Sequence, residues 1–154
     1  MMQTGSSVTG DQHPPLPMPL EEQLCFALYV ASRASVGRYR RVLAELGLTY
    51  PQYLVMHVLW ERGPVSMGEL AVALRLDSGT LSPLVKRLAS SGFVDRQRNP
   101  QDERRVEVFC TEAGDDLRRA AQGIFVDFRD ELDFSGGEFE ALVHSLHALA
   151  ERYG

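Results

Sequence analysis

Cys25 and three tyrosines are residues of this 154-residue sequence whose types and spacing suggest a chemical role. Cys25 falls in an early turn of a predicted helix, where the positive end of the helix dipole favours the nucleophilic thiolate. Tyr29 follows one turn later, Tyr39 follows fourteen residues later, and Tyr50 opens the next predicted helix. Phenol groups that donate hydrogen bonds to a sulfur anion lower the pKa of the thiol. This set predicts a reactive thiol, and a buried, inert cysteine is the alternative interpretation.

The spacing of Cys25 and Tyr39 also bears on assembly. Fourteen residues are close to four helical turns, so both side chains lie on one helix face, but about 21 Å apart along the axis. They cannot touch within one straight helix. Antiparallel packing of the first helices of two subunits would bring Tyr39 of one chain to Cys25 of the other.

The stretch from Ser66 to Thr111 predicts two helices followed by a hairpin. Ser66 and Glu69 form an S-x-x-E capping box, which satisfies free backbone N–H groups, so a helix of about two turns begins there. Asp77 and Ser78 are both good N-caps for a second helix, which is predicted to run to about Ser91. The residues Leu81, Leu84, Val85 and Leu88 recur in it at helical spacing before Gly92.

The opposite face of this second helix carries small hydroxyl groups first and cations later. These residues are Ser78, Thr80, Ser82, Lys86 and Arg87. Small side chains at the start of a helix in the major groove of DNA allow close approach to base edges, and cations suit phosphates. Pro83 removes one backbone donor, which predicts a local bend. Taken alone, the helix is explained equally well as an ordinary amphipathic helix with a solvated face.

Two short strands after Gly92 favour the DNA-binding interpretation. Residues 93–98 and 104–110 alternate in polarity, and the residues between them, Asn99-Pro100-Gln101-Asp102, are typical of a turn. The strands carry Arg96, Arg98, Arg104 and Arg105. A hairpin with arginines near its tip can reach phosphates or a narrow minor groove. Asp102 is placed to orient Arg104 through a charge-assisted hydrogen bond.

These motifs resemble those of the MarR family of bacterial regulators. The segments LDSGTLSPLVKRL, GFVDRQRNPQDERRVEV and TEAG are similar to the DNA-binding lobe of the family, and Asp102 and Arg104 match its D-x-R wing motif. The run LEEQLCFALYVASR, together with Tyr39 and LTYPQYLVMHVLWE, is similar to the organic hydroperoxide resistance regulators, the peroxide-sensing branch of the family. The resemblance covers nearly all of the chain from Leu20 to Gly114.

The resemblance implies a mostly α-helical fold with a small β wing. This fold is a dimeric winged helix-turn-helix with six helices plus a β-hairpin. It also implies a repressor that binds pseudo-palindromic double-stranded operator DNA as a homodimer. In this family branch an organic hydroperoxide oxidises the reactive cysteine, here Cys25, to a sulfenic acid, and the dimer then releases its operator. Tyr29, Tyr39 and Tyr50 would hold the thiolate and report its oxidation.

Length, composition and charge fit one cytoplasmic domain. The sequence has no run of about 18 apolar residues that would span a membrane and no pattern of a signal peptide. The net charge is −5, but seven cations stand against four anions between Arg75 and Arg105. A basic face on an acidic body steers DNA to one surface. The two cysteines lack the spacing of a metal site and His144 with His147 lacks further ligands, so we expect no metal or cofactor.

The remaining segments predict an N-terminal arm and helices on both sides of the DNA-binding lobe. Residues 1–19 hold four prolines and no apolar period, which is typical of a disordered arm. Residues 20–154 form the MarR-type domain, in which the lobe spans about 49–111. Helices of about 20–47 and 112–153 serve dimerisation. The first helix, about 26 residues and 39 Å long, is too long for this small body to cover alone.

Caps predict where the other helices begin. Thr49 with Gln52 starts the second helix, and Thr111 starts a fifth helix that runs to about Leu132. Ser135 with Glu138 starts the sixth. In a two-fold dimer, the two recognition helices would lie about 34 Å apart, one turn of DNA.

Cys110 continues the alternation of Val106 and Val108, which favours a packed strand residue over a resolving thiol. Cys25 then acts alone, and its sulfenic acid is capped by a low-molecular-weight thiol or oxidised further. Two other functions stay open. One is a MarR-type repressor released by a reversible phenolic ligand, with Cys25 as a bystander. The other is a thiol peroxidase, although the sequence lacks a well-placed partner cysteine and is not expected to be an enzyme.

Overall fold

The computed structural model describes residues 18–99, 102–134 and 136–153, apart from the side chains of Glu103, Arg104 and residues 124–130. Six α-helices and three strands make up these parts. The helices are α1 (Leu24–Glu45), α2 (Tyr50–Arg62), α3 (Met67–Leu74), α4 (Ser78–Ser90), α5 (Glu112–Asp130) and α6 (Glu138–Tyr153). The strands are β1 (Val65–Ser66), β2 (Val94–Asn99) and β3 (Asp102–Cys110).

Some sequence predictions fall on residues outside the described part. The arm predicted at residues 1–19 lies outside it up to residue 17, and so do Pro100, Gln101 and Ser135. The chain divides into two compact units, one that ends at Arg38 and one that begins at Tyr39.

In the first unit, the long helix begins later than predicted. A turn of 3-10 helix forms at Leu20–Glu22, and Gln23 then takes an extended backbone with φ −78° and ψ 121°. The carbonyl of Gln23 accepts the N–H of Ala27 at 3.0 Å, so Gln23 caps a separate α-helix. Helix α1 therefore has 22 residues rather than about 26. Cys25 becomes its second residue.

The second unit is built around α2, which is buried along most of its length. Its first turn confirms the predicted pairing of Thr49 with Gln52, whose side-chain oxygen accepts the Thr49 backbone N–H at 2.8 Å. Helix α2 ends at Arg62, and the residue that caps it, Gly63, has φ 77°. The buried core contains side chains from α1 to α4, β2 and β3, which include Leu43, Val55, Met56, Leu70, Leu81, Val85, Leu88, Val94 and Val108.

The strands form a three-stranded antiparallel sheet in the order β1-β3-β2, not a hairpin alone. In β1, Val65 pairs with Val108, and Ser66 pairs with Glu107. Strand β1 was not predicted, because two residues cannot show an alternating pattern. On β3 the predicted apolar face is only partly buried, since Val108 is fully buried while Val106 is 41% exposed.

Helices α5 and α6 begin differently from each other. Thr111 caps α5 as predicted, because its hydroxyl accepts the Gly114 N–H at 3.2 Å. The first turn of α6 is capped by Gly137, whose carbonyl accepts the Ala141 N–H at 3.0 Å, so α6 begins at Glu138. Gly137 takes φ 86°, a conformation that suits glycine and cannot continue a right-handed helix.

Candidate nucleic-acid interface and cysteine sensor

The start of α4 is held by Asp77, whose carboxylate takes two hydrogen bonds from Thr80. The Thr80 backbone N–H donates to Asp77 Oδ1 at 2.9 Å, and the Thr80 hydroxyl donates to Asp77 Oδ2 at 2.7 Å. These hydrogen bonds lower the pKa of the Asp77 carboxyl below its ordinary value. Asp77 is therefore an ionised N-cap at neutral pH.

The cap and the apolar period together decide which face of α4 is exposed. Leu81, Val85 and Leu88 are fully buried. The five predicted DNA-contacting residues of the helix, Ser78, Thr80, Ser82, Lys86 and Arg87, are all exposed. The structure thus leaves this polar face open to a partner.

A surface groove of about 950 Å³ lies between α4 and β2. It is lined by Ser78, Gly79, Ser82, Pro83, Lys86, Ala89, Ser90 and Arg96. Gly79, Pro83, Ala89 and Ser90 were not predicted as part of this surface. Pro83 follows Gly79 at i+4, and Ala89 and Ser90 follow Lys86 at i+3 and i+4, so a signal of helical spacing was present in the sequence. The groove brings hydroxyls of the helix and a cation of the wing to one surface.

The wing exposes its arginines as expected. Arg96 and Arg98 are exposed on β2, and Arg105 is exposed on β3. Asn99 closes the turn, because its side-chain oxygen accepts the Asp102 N–H at 3.2 Å. The side chain of Arg104 lies outside the described part, so its predicted contact with Asp102 stays a prediction.

The two cysteines lie in different surroundings. Cys25 is exposed near the N-terminus of α1. Cys110 is half-buried at the end of β3, where it pairs with Val94. Burial, with a smaller contribution from Asp115, raises the pKa of the Cys110 thiol to about 11. The prediction of a packed strand residue at position 110 is therefore confirmed.

Tyr29 is the tyrosine that shares the first unit with Cys25. It lies one helical turn after Cys25 and is 57% exposed. Arg33, one turn further on, donates from Nη1 to the Tyr29 hydroxyl at 3.3 Å. The guanidinium carbon of Arg33 is 5.5 Å from the Tyr29 ring centroid. The hydroxyl oxygen of Tyr29 thus accepts from Arg33, and its own proton is available to another acceptor.

Tyr39 and Tyr50 meet in the second unit, with ring centroids 4.9 Å apart. Burial raises the pKa of both phenols, with a further contribution to Tyr39 from Tyr50. Both are therefore protonated hydrogen-bond donors at neutral pH. Tyr53 was not predicted to belong to this group, yet its ring centroid lies 6.2 Å from those of Tyr39 and Tyr50. The i, i+3 spacing of Tyr50 and Tyr53 on α2 was the available signal.

Trp60 lies near the C-terminal end of α2. In the second unit its indole Nε1 donates to the Gly114 carbonyl at 2.9 Å, and its ring packs at 6.1 Å from that of Tyr53. Trp60 thus joins α2 to the first turn of α5.

The described part of the chain contains neither a metal-ligand cluster nor a membrane-spanning helix. Among those residues, no three His, Cys, Asp or Glu side chains are grouped so that they could hold a metal ion. No described helix combines the length and apolar character needed to cross a membrane.

The helix pair α3–α4, followed by an arginine-bearing antiparallel wing, defines a winged helix-turn-helix protein. A sequence profile described as MarR family matches residues 48–106. The chain is also 39% identical over 134 residues to the organic hydroperoxide resistance transcriptional regulator of Bacillus subtilis (strain 168), covering 87% of this chain and 91% of that protein. The chain belongs to the MarR family and is a transcriptional regulator.

Two further relatives agree with this assignment. The HTH-type transcriptional regulator TtmR of Methylorubrum extorquens (strain PA1) is 52% identical over 102 residues, which are 66% of this chain and 52% of TtmR. This chain thus spans about half the length of TtmR. AbfR of Staphylococcus epidermidis, solved in its reduced form bound to DNA, is 31% identical with a TM-score of 0.73, covering 87% of this chain and 94% of AbfR.

AbfR is also known in an oxidised state. The structure of its disulfide form is 34% identical to this chain with a TM-score of 0.61, and the match covers 85% of this chain and 92% of AbfR.

Proposed function

We propose that this protein is a homodimeric, cytoplasmic repressor that releases its operator when an organic hydroperoxide oxidises Cys25. The observation that carries the proposal is the exposed position of Cys25 near the N-terminus of α1, in a chain 39% identical to an organic hydroperoxide resistance regulator. Helix N-termini favour thiolates because the backbone N–H groups and the dipole stabilise negative charge. The contrast with Cys110, whose thiol is held neutral by burial, supports Cys25 as the sensor.

In this proposal, operator DNA lies against α4 and the wing. The hydroxyls of Ser78, Thr80 and Ser82 contact base edges, since they are small and lie at the start of the helix. The phosphates are bound by the cations Lys86, Arg87, Arg96, Arg98 and Arg104, and Asp102 orients Arg104. The groove between α4 and β2 supports this assignment because it joins the two sets of residues on one surface.

The proposed dimer is supported by apolar side chains that the single chain leaves exposed. On α6, Leu142 and Leu146 are 45% and 42% exposed, and none of the described residues of this helix is buried. On α1, Leu24 and Val30 are also exposed. An amphipathic helix with an uncovered apolar face is typical of a subunit interface. A two-fold dimer matches a pseudo-palindromic operator.

The proposed sensing reaction oxidises one sulfur atom. The Cys25 thiolate attacks the peroxide O–O bond, that bond breaks, and an alkoxide leaves and takes up a proton to become an alcohol. The sulfenic acid then condenses with a low-molecular-weight thiol, which gives a mixed disulfide and water. A bulky or neutral adduct replaces the anion, so hydrogen bonds to the thiolate are lost.

Tyr29, Tyr39 and Tyr50 are the proposed partners of the thiolate. Each is a phenol that donates one proton, and the raised pKa values of Tyr39 and Tyr50 keep those two protonated. Loss of their anionic acceptor on oxidation would release the phenols and shift the subunits that carry the two recognition helices.

A gel shift on the protein's own upstream DNA tests the proposal. The wild-type protein and a Cys110→Ser variant should both release the DNA after cumene hydroperoxide with a small thiol. A Cys25→Ser variant should bind the DNA with similar affinity and stay bound. Release of the Cys25→Ser variant by peroxide would contradict the sensor assignment.

Mass spectrometry of the oxidised wild type gives an independent readout. With the small thiol limited to one equivalent per subunit, we expect a mixed disulfide on Cys25 and peroxide consumption of about one equivalent per subunit, since no thiol then remains to reduce the mixed disulfide. A bond between Cys25 and Cys110 would replace the one-cysteine scheme, and sustained consumption would indicate a thiol peroxidase.

A cavity between α2 and α5 favours a second candidate, a repressor released by a reversible phenolic ligand. It measures about 330 Å³ and is lined by His57, Trp60, Glu61, Arg118, Ala121 and Gln122. The Trp60 ring beside the Arg118 guanidinium and the His57 imidazole suits a small phenol. Under this alternative, phenolic compounds would release DNA from the Cys25→Ser variant, whereas peroxide sensing predicts that they have no effect.

A further inference from the structure

The three hydroxyl groups at the start of α4 differ in their hydrogen bonds. The Thr80 hydroxyl is held by Asp77 Oδ2 at 2.7 Å, while the other carboxylate oxygen of Asp77 takes the Thr80 backbone N–H. Within the described part of the chain, the hydroxyls of Ser78 and Ser82 have no such hydrogen bond. Their protons can therefore rotate toward or away from a partner, whereas the proton of Thr80 has a fixed direction.

The direction of the Thr80 proton follows from the chemistry of the Thr80 hydroxyl and the Asp77 carboxylate. An ionised carboxylate can only accept, and the lowered pKa of Asp77 keeps it ionised at neutral pH. A threonine hydroxyl has one proton and two lone pairs, so once the proton is donated to Asp77 only lone pairs remain. Thr80 is exposed, so its hydroxyl can contact a molecule that docks on α4.

We propose that Asp77 makes Thr80 an acceptor-only group, so that Thr80 reads an exocyclic amino group in the major groove, N6 of adenine or N4 of cytosine. The inference rests on the proposed function, because it specifies how the predicted operator interface chooses a base. Asp77 is a positioning residue in this scheme, since it acts on the base through Thr80.

The hydrogen-bond acceptors of DNA do not match an acceptor-only Thr80. Phosphate oxygens are anionic acceptors, so they would meet the lone pairs of Thr80 and the charge of Asp77. In the major groove, guanine offers O6 and N7 and thymine offers O4, which are acceptors too. Only the amino groups of adenine and cytosine donate there.

Replacing Asp77 by asparagine should reverse the polarity of Thr80. Asparagine is also a good N-cap, and its oxygen would keep the Thr80 backbone N–H. Its amide nitrogen would then stand where Oδ2 now accepts and would donate to the Thr80 hydroxyl oxygen. The Thr80 proton would be free to point at the DNA, where it suits thymine or guanine.

In vitro selection from randomised operators tests this with the full-length wild type and the variants Thr80→Val, Thr80→Ser and Asp77→Asn. The wild type and Thr80→Ser should select adenine or cytosine at one position of each half-site. Thr80→Val, which has similar shape but no hydroxyl, should lose that preference, and Asp77→Asn should move it to thymine or guanine. Ser82→Ala is the matched control, because it should change a different position. Circular dichroism and the dimer mass should be unchanged in all variants.

A base analogue measures the single hydrogen bond. Removing the amino group at the selected position, for example by replacing adenine with purine, should weaken wild-type binding about 3- to 10-fold and leave Thr80→Val unchanged. Three results would each overturn the inference. The wild type could select guanine or thymine, the preference for an amino group could survive in Thr80→Val, or the preference could be unchanged in Asp77→Asn. If the wild type selects no sequence at all, the proposed operator binding itself fails.

Discussion

Cys25 and Cys110 show how surroundings separate two chemically identical side chains. Cys25 lies exposed in the first turn of a helix, while Cys110 is half-buried on a strand opposite Val94. Desolvation disfavours the thiolate of Cys110, and the nearby Asp115 disfavours it further. Because a thiol reacts as its thiolate, the structure assigns low reactivity to Cys110 at neutral pH.

Alkylation of a Cys25→Ser variant measures the pKa of Cys110 directly. The rate should rise about tenfold per pH unit and level off near the pKa of about 11. At pH 8 only about one thiol in a thousand is ionised. Unfolding in urea should accelerate the reaction at pH 8, because the ordinary value is 9.0. A rate that levels off below pH 9 would contradict the burial of this thiol.

The raised pKa of Cys110 also makes the stability of the protein depend on pH. Folding favours the neutral thiol of Cys110. The contribution of this thiol to the free energy of unfolding is therefore fully present below the ordinary pKa of 9.0 and is lost as the pH rises to about 11. Above that pH, both the folded and unfolded states carry the thiolate.

At the scale of elements, the junction between α2, β2 and α5 depends on one glycine. Gly114 is buried in the first turn of α5, and a Cβ atom there would lie 2.1 Å from the Phe93 carbonyl oxygen. Its own carbonyl accepts the Trp60 indole at 2.9 Å. Backbone atoms cannot yield as a flexible side chain would, so only glycine lets α5 start this close to the sheet.

We therefore expect Gly114→Ala to lower the free energy of unfolding by about 1–3 kcal/mol, the usual cost of overpacking. Gly123→Ala is the matched control on the same helix, since a Cβ there meets nothing within 4 Å and alanine favours a helix. Urea unfolding of both variants gives the comparison. Equal stability of Gly114→Ala and wild type would show that α5 starts further from the sheet.

At the scale of the whole molecule, an acidic protein exposes a group of cations on α4 and β2. The net charge is −5, yet Lys86, Arg87, Arg96 and Arg98 are exposed on α4 and β2. Phosphate contacts release counterions, so affinity for DNA depends steeply on salt.

Salt titrations test which cations contact phosphates. Lys86→Ala or Arg104→Ala removes one contact per subunit, so each should reduce the slope of log affinity against log salt by about 2 for the dimer. Arg118→Ala, on α5, is the control and should leave the slope unchanged. A slope that stays constant in Arg104→Ala would remove this residue from the wing contact.

The dimer can be tested through α6. Leu146 is 42% exposed, and Leu146→Lys should place a charge in the proposed interface, halve the mass measured by light scattering and weaken operator binding at least tenfold. Val72→Gln alters another exposed apolar residue, on α3, and should leave the mass unchanged. A dimeric Leu146→Lys variant with normal DNA affinity would exclude this part of α6 from the interface.

Local signals in the sequence were enough to predict the six helices, the wing and the exposed face of α4. Caps such as Ser66 with Glu69 and the spacing of Leu81, Val85 and Leu88 act within one helix, so they can be recognised without the fold. The exposure of Ser78 and Lys86 follows from the same spacing. The position of Cys25 in an early helical turn was predicted for the same reason, although Gln23 starts that helix later than expected.

Only the tertiary structure decided the features that need distant partners. β1 has two residues and becomes a strand because Val65 pairs with Val108, 43 residues away along the chain. Tyr53 joins Tyr39 and Tyr50 through packing of α1 on α2 in the second unit. The need for glycine at position 114 arises from Phe93 on the neighbouring segment. Short-range hydrogen bonds and periodicity define elements, but contacts between elements depend on how the chain packs.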